Sequence, residues 1–473
     1  MSAQLTKRPD SSERLEKFIA NPRKAIWTLA VPVMMGMAVQ TLYSVVDMLF
    51  VGRISALAIA ALGFNVPLFW LAMGISFGLG TGVTAVIARF MGARDQAAAE
   101  NVAEHGIILG FVFGVPFSLI GLIFARPLLS ALGAPDNLID DASAYFRIIS
   151  GGFMFMIMSI FLRSILSGEG DTKTPMKIQI TATILNIILD PIFIFTFGLG
   201  VSGAALATVI SMVVTVILYV YVILVKKGTV LQLNMRSFKL RMSYYRDIFR
   251  IGLPASISMI IMAGGAMLYN FILISYGAEV VAGYQVAGRL DQVFFLPVMA
   301  IAGSLVTLVG MFYGAQRIDL IRQVIRDGLR YGISIGIFTG ILFWFAAPYV
   351  LRIFSDDPIV LGVAVSVVRT FSWVYWLIAV GMLSGRALQG LGTGIPSMVI
   401  TAVRVALVGG PLGYYFAIVM GKPYVWVWYG SLVAVFTAGA MALTWLRYRL
   451  RLTEQQFENM ASLPPAAAPL SNS

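Results

Sequence analysis

Twelve stretches of this chain are apolar over lengths close to or above the roughly 20 residues that an α-helix needs to cross a bilayer. They fall near residues 26–50, 56–88, 107–125, 142–162, 176–197, 199–225, 249–275, 280–312, 331–350, 359–384, 396–419 and 424–446. Hydrocarbon offers no partner to a free N–H or C=O, so a run of this length crosses as a helix whose backbone bonds are all internal. With 59% hydrophobic residues, 12% charged residues and a mean hydropathy of +0.87, the rest of the chain leaves no room for a soluble core. The expected fold is all-α and integral to the membrane, with twelve transmembrane helices.

Charge placement gives the same count. Lys and Arg are retained on the cytoplasmic side of short loops. Sorted along twelve helices with a cytoplasmic start, 26 of the 34 basic residues fall inside and only Arg53, Arg126, Arg352 and Lys422 outside, while Arg147, Arg289, Arg369 and Arg404 lie within runs. This predicts a multi-pass protein of a bacterial or archaeal cytoplasmic (inner) membrane with both termini cytoplasmic. It also accounts for the net charge of +12 without a nucleic-acid partner. The absence of cysteine excludes disulfides and thiolate chemistry, and a single histidine, His105, excludes a histidine metal cluster. His105 reads as a solvated residue at a helix end.

Glycines recur every fourth residue at Gly106, Gly110 and Gly114, and again at Gly328, Gly332 and Gly336. A shift of 222 residues superposes them without a gap. It also superposes Pro32 on Pro254, Ala60 on Ala282, Gly92-Ala93 on Gly314-Ala315, Arg147 on Arg369, and Leu166–Gly170 on Leu388–Gly392. The chain is therefore read as two homologous six-helix lobes. An even helix number gives both the same orientation, a parallel repeat with a pseudo-two-fold axis along the membrane normal, as in transporters that pass substrate between halves. The segments are 1–25, a cytoplasmic lead-in; 26–225, the N-lobe; 226–248, a basic linker read as a tether; 249–446, the C-lobe; and 447–473, a tail expected to lack structure.

Two carboxylates stand inside apolar runs, Asp47 in the first and Asp190 in the fifth. An aspartate at a helix centre costs roughly 3 kcal/mol, so each needs a partner or a task. At 1.5 Å per residue Asp47 lies about 30 Å above Trp27 and Asp190 about 22 Å above Pro175, both in the outward half of the membrane. Thr208, about 13 Å below the outer end of the sixth helix, overlaps them in depth. Tyr43 and Asn186 each lie one turn below a carboxylate, on the same helical face. Asp47, Asn186, Asp190 and Thr208, supported by Gln40 and Tyr43, would hold Na⁺ through hard oxygens. They would equally hold a proton, because two close carboxylates cannot both ionise cheaply. Pro191 adds a freed carbonyl at Ile187. The matching C-lobe positions are Tyr269 and, with Gly410-Pro411 set against Asp190-Pro191, Gly410, so the site belongs to one lobe. In the C-lobe, Arg289, Asp291 and Arg404 are candidates to line a cavity, Arg289 and Asp291 being too close in sequence to share a face.

These residues resemble the multidrug and toxic compound extrusion family, and its DinF-like branch. The resemblance rests on Pro32, Tyr43-Ser-Val-Val-Asp47 with Val51-Gly52, Gly92-Ala-Arg-Asp95, Leu166-Ser-Gly-Glu-Gly-Asp171 and Asn186-Ile-Ile-Leu-Asp-Pro191. It implies a secondary exporter of amphipathic, often cationic compounds. The lobes would rock against each other in antiport with H⁺ or Na⁺ as the coupling ion, without a further cofactor and as a monomer in the lipid bilayer. Acidic residues that some members carry in the second lobe are missing here. A flippase for lipid-linked precursors of the same superfamily is the alternative within the fold. An intramembrane aspartyl protease is the alternative outside it, disfavoured because Asp171 falls in a turn beside Lys173.

Overall fold

The computed structural model describes residues 11–52, 66–133, 135–226, 228–234 and 238–462; at Asp47 and a few neighbours it describes the backbone alone. A short amphipathic helix, α1 (Ser11–Ala20), leads into the N-lobe. That lobe comprises α2 (Pro22–Gly52), α3 (Val66–Gly92), α4 (Gln96–Ala131), α5 (Asp136–Gly168), α6 (Lys173–Pro191) and α7 (Gly200–Val220). The C-lobe comprises α8 (Met242–Ile274), α9 (Ala278–Gly314), α10 (Ile318–Val350), α11 (Pro358–Ser372), α12 (Tyr375–Gly390), α13 (Ile395–Ala402), α14 (Gly410–Tyr414) and α15 (Val425–Ala461). Among the described residues eleven helices are long and apolar enough to span a membrane, and the pair α11–α12, bent by 61°, makes a twelfth. The fold is the expected all-α membrane architecture.

The 222-residue repeat holds atom by atom. A Cβ at Gly114 would stand 3.0 Å from the Met154 backbone, and one at Gly336 would stand 2.5 Å from Trp376, the matching residue. Gly168 closes on Ile87 as Gly390 closes on Val309, each at 2.8 Å. Even the turns agree. Arg94 and Gln316 both adopt a left-handed backbone (φ 58° and 56°), as do Gly170 and Gly392 (80° and 86°). Small residues let helix backbones approach where bulky ones would hold them apart, and the same contacts recur because the same glycines recur.

The last span of each half's fifth helix is wound as a π-turn, Ile192–Thr196 after Pro191 and Tyr415–Val419 after α14. A proline cannot donate the bond that closes an α-turn, and a wider turn is one way to reassign the freed carbonyls. The C-lobe adds a second π segment, Val403–Gly409, which carries Arg404.

The lobes meet at the basic end, where α1 and the linker lie. Gly92 packs on the Met311 carbonyl and Gly314 on the Arg89 carbonyl, a reciprocal pair across the pseudo-two-fold. Arg23 pairs with buried Asp327 at 3.0 Å, and Trp27 packs on Tyr331. Farther in, Gly82 packs on Ile248, Gly78 on Ser256 and Gly74 on Met259. Beyond Gly74 and Met259 the same two helices expose Trp70, Leu71, Met262 and Met267. The lobes are thus in contact from the basic end as far as Gly74 and Met259.

Two sequence expectations need correction, those for His105 and the tail, and the tether gains contacts of its own. His105 is fully buried, its Nδ1 bonded to the Asn101 carbonyl at 2.7 Å and its Nε2 accepting from the Arg241 N–H at 3.1 Å, within a ring of Phe238, Tyr244 and Tyr245. The linker is a strap: Glu169 Oε2 accepts from the Val230 and Leu231 N–H groups, Glu100 from Gln232 and Glu104 from Asn234. An unpaired backbone donor is costly away from water, and carboxylates at the head of α4 and the end of α5 satisfy these. Finally, the segment after 446 is helical to Ala461, with Phe457 against Tyr313 and Glu454 bonded to Arg322, so the tail expected to lack structure is docked over that length.

Candidate functional site

Helix α6 places Gln179, Thr183, Asn186 and Asp190 at spacings of four, three and four residues, which is one face of an α-helix. Asp190 is fully buried and Asn186 nearly so, and Asn186 Nδ2 donates to Asp190 Oδ1 at 3.2 Å. Nearer the basic end, Gln179 Nε2 donates to Gln40 Oε1 at 2.7 Å and approaches the Thr183 hydroxyl at 3.5 Å. The stripe thus faces α2, the helix that carries Gln40, Tyr43 and Asp47. The position of Asp47 in α2 is set, but its side chain lies outside the described residues. Tyr43 is half-buried one turn before it. Thr208 stands on α7, which packs along α6, and its hydroxyl donates to the Ala204 carbonyl of its own helix at 3.0 Å. Asp190, Asn186 and Thr183 carry oxygen atoms on this face, the hard-donor type that a small cation takes. Gln179 and Thr183 share this face; their i, i+4 and i+7 spacing to Asn186 was the signal in the sequence.

The C-lobe interior at the corresponding place is aromatic. Tyr269, the counterpart of Asp47, bonds the Ser431 hydroxyl at 2.7 Å and stacks on Tyr284, which stacks on fully buried Trp428. Asp291 accepts a short hydrogen bond from the Tyr375 hydroxyl. Arg289, two residues earlier, is exposed, and Arg404 lies half-buried near Tyr269. Neither arginine, nor Asp291, forms an ion pair among the described residues.

Two further arginines lie within the bundle, although the sequence sorts them with the cytoplasmic loops. Arg163 of α5 covers the Phe77 ring at 4.7 Å. Arg386 of α12 donates to the Thr81 hydroxyl at 3.2 Å and to Gln389 Oε1 at 3.1 Å, and Gln389 is fixed in turn by Ser397. The turns that follow α5 and α12 dip into the protein, as Gly390 meets Val306 and Val309 of α9 and Gly394 meets Ile251 of α8.

A parallel pair of six-helix lobes is the architecture of a transporter. The model of the MatE family matches residues 32–192 and 254–415, two segments offset by the same internal repeat, and the chain belongs to that family. The probable multidrug resistance protein NorM of Thermotoga maritima is 28% identical over 435 residues, 89% of this chain and 91% of that one. The multidrug export protein MepA of Staphylococcus aureus is 27% identical over 403 residues, 84% and 88% of the two chains. Among solved structures, the outward-facing conformation of a multidrug resistance MATE family transporter superposes with a TM-score of 0.89 at 30% identity, over 95% of this chain and all of that one. A Pyrococcus furiosus transporter described as having a binding pocket of reversed polarity superposes equally well, covering 95% and 99%.

Proposed function

We propose that the protein is a multidrug exporter that moves amphipathic compounds out between its lobes in exchange for H⁺ or Na⁺ taken by the N-lobe. The observation that carries the reading is the buried Asn186–Asp190 pair on a polar face of α6 turned to α2. A carboxylate is costly at that depth and retained there because protonation or a cation relieves the cost. Asp47, Asp190, Asn186 and Thr208 bind the ion, and Gln40 and Tyr43 support them. The export proteins NorM and MepA lend the substrate class. The basic end lies in the cytoplasm of an inner membrane, by the charge sorting, and the other end therefore faces outward. A single chain suffices, since both lobes are within it.

The test is ethidium efflux from proteoliposomes under an imposed pH gradient and, separately, a Na⁺ gradient. Wild type is expected to export under one of them, and Asp47→Asn and Asp190→Asn to lose at least about tenfold in rate while remaining folded, as removal of a binding group of a few kcal/mol requires. Full efflux in both variants would make the carboxylates structural and end this mechanism.

A further inference from the structure

Phe77 and Thr81 lie in α3 between the interlobe contacts made by Gly74 and Gly82. Being four apart they share one face, and both are partly exposed. Each holds an arginine: Arg163 comes from the N-lobe and Arg386 from the C-lobe. Among the described residues neither meets a carboxylate. Two like charges brought to one face of a helix repel and are poorly solvated, and a ring face and a hydroxyl offset only part of that. The Arg386 guanidinium is pre-oriented by the chain Gln389–Ser397, and both arginines retain N–H groups for another acceptor.

We propose that Arg163 and Arg386 form an anion subsite between the lobes, taking the oxyanion head (carboxylate, sulfonate or phosphate) of an amphiphilic substrate. The inference rests on the transport reading and gives it a substrate class, acidic amphiphiles, that the N-lobe carboxylates do not supply. A planar oxyanion matches the guanidinium fork, and its apolar body would lie along the exposed apolar residues beyond Gly74 and Met259. The two cations belong to different lobes. An anion held by both binds the closed basic end better than the parted one, and so biases the rocking equilibrium by its differential affinity.

The experiment uses the full chain in neutral detergent and the probe carboxyfluorescein, read by fluorescence anisotropy. Wild type is expected to bind it saturably. Arg163→Gln and Arg386→Gln are expected to weaken binding about tenfold or more, the factor for losing a charge-assisted contact, with the melting midpoint unchanged. Arg386→Lys and Arg163→Lys keep the charge and lose the fork, and are expected to bind several-fold more weakly; they are read where a Gln variant fails to fold. Proteoliposomes with fluorescent phosphatidylglycerol form a second arm: movement of this lipid that depends on the two arginines keeps the subsite and identifies the anion as a lipid head. Wild type that takes up neither anion overturns the proposal, as do folded variants with wild-type affinity. Ethidium efflux by the same wild-type preparation separates the two readings. Efflux without anion binding removes the subsite alone, and anion binding without efflux of either dye leaves the subsite and removes the exporter.

Discussion

Gly92 and Gly314 offer the sharpest perturbation of the seam between the lobes. A Cβ at Gly92 would stand 1.8 Å from the Met311 carbonyl oxygen, and a Cβ at Gly314 would stand 1.8 Å from that of Arg89. An ordinary contact needs 3.4 Å or more, so α3 and α9 must separate by about 1.5 Å at that point, and the obstructing atoms are backbone that cannot swing aside. Overpacking of this kind costs about 1–3 kcal/mol. Charged to the closed arrangement alone, that shifts the ratio of closed to parted basic ends by about 5- to 150-fold. Gly92→Ala and Gly314→Ala are therefore each expected to populate a state with the basic end open. The double variant should add less than the sum, because parting the helices relieves both clashes at once. The chain has no cysteine, so spin labels can be placed without background. The pair Lys173→Cys and Ile395→Cys reports the basic end, and Leu132→Cys with Phe354→Cys reports the opposite end; both pairs are repeat-related and all four residues are exposed. Double electron–electron resonance should show the first distance lengthen and the second shorten. Gly303→Ala, on the same helix α9 with open space around its Cβ, should leave both unchanged. If Gly92→Ala leaves both distances at wild-type values in folded protein, the seam absorbs a methyl group by local bending, and the lobes do not move as rigid bodies about it.

Two more outcomes follow from charges in the structure. Burial raises the Glu169 carboxyl to about 7, Arg14 opposing that rise and Asp171 adding to it. The strapped state then binds a proton that a released, solvated Glu169 (ordinary value 4.5) does not. Falling pH between about 7 and 4.5 therefore favours the strap, by at most about tenfold per pH unit. Hydrogen exchange at Val230 and Leu231, corrected for its intrinsic pH dependence, should be slower at low pH, and Glu169→Gln should abolish the trend; protection that rises with pH would contradict it. In the C-lobe, Tyr375→Phe removes the hydroxyl that donates to Asp291, at an expected cost of about 1.5–3 kcal/mol for a bond to a charged group. Adding Asp291→Asn should recover most of that loss in a double-variant cycle, and no recovery would show that the hydroxyl acts by packing.

The repeat and the spans were legible because both are one-dimensional signals: apolar length, and glycines at matched intervals. The polar face of α6 was half legible. Asn186 and Asp190 stand out as polar residues in an apolar run, whereas Gln179 sits close to the basic end, where a glutamine is unremarked until its partner Gln40 is seen across the helix pair. Arg163 and Arg386 were misassigned for a definite reason. Each lies within a turn or so of a helix end, and sorting cations by sequence takes a helix end for a membrane surface. Here those ends pack against other helices, Gly168 abutting Ile87 and Gly390 abutting Val309. His105 was misread likewise, since nothing in its neighbourhood announces that a strap 136 residues later will cover it.

The two lobes share their packing and differ in their chemistry, and the difference bears on how a bound cation could be felt at the seam. Where the N-lobe has Gln179, Thr183, Asn186 and Asp190, the C-lobe has Tyr269, Tyr284 and Trp428 in a stack. Under the proposed mechanism, a cation or proton entering the N-lobe alters the balance of one lobe only, and the seam would be loaded from one side. Helix α2 would carry that load. Its Gln40 is bonded to Gln179 of α6, and 17 and 13 residues earlier its Arg23 and Trp27 hold Asp327 and Tyr331 of α10 in the other lobe. Neutralising the carboxylate face changes what α6 offers α2. A shift of α2 along or about its axis then reaches the interlobe contacts through some 17 residues of continuous helix, with Pro32 inside that stretch as the place where the backbone ladder is weakest.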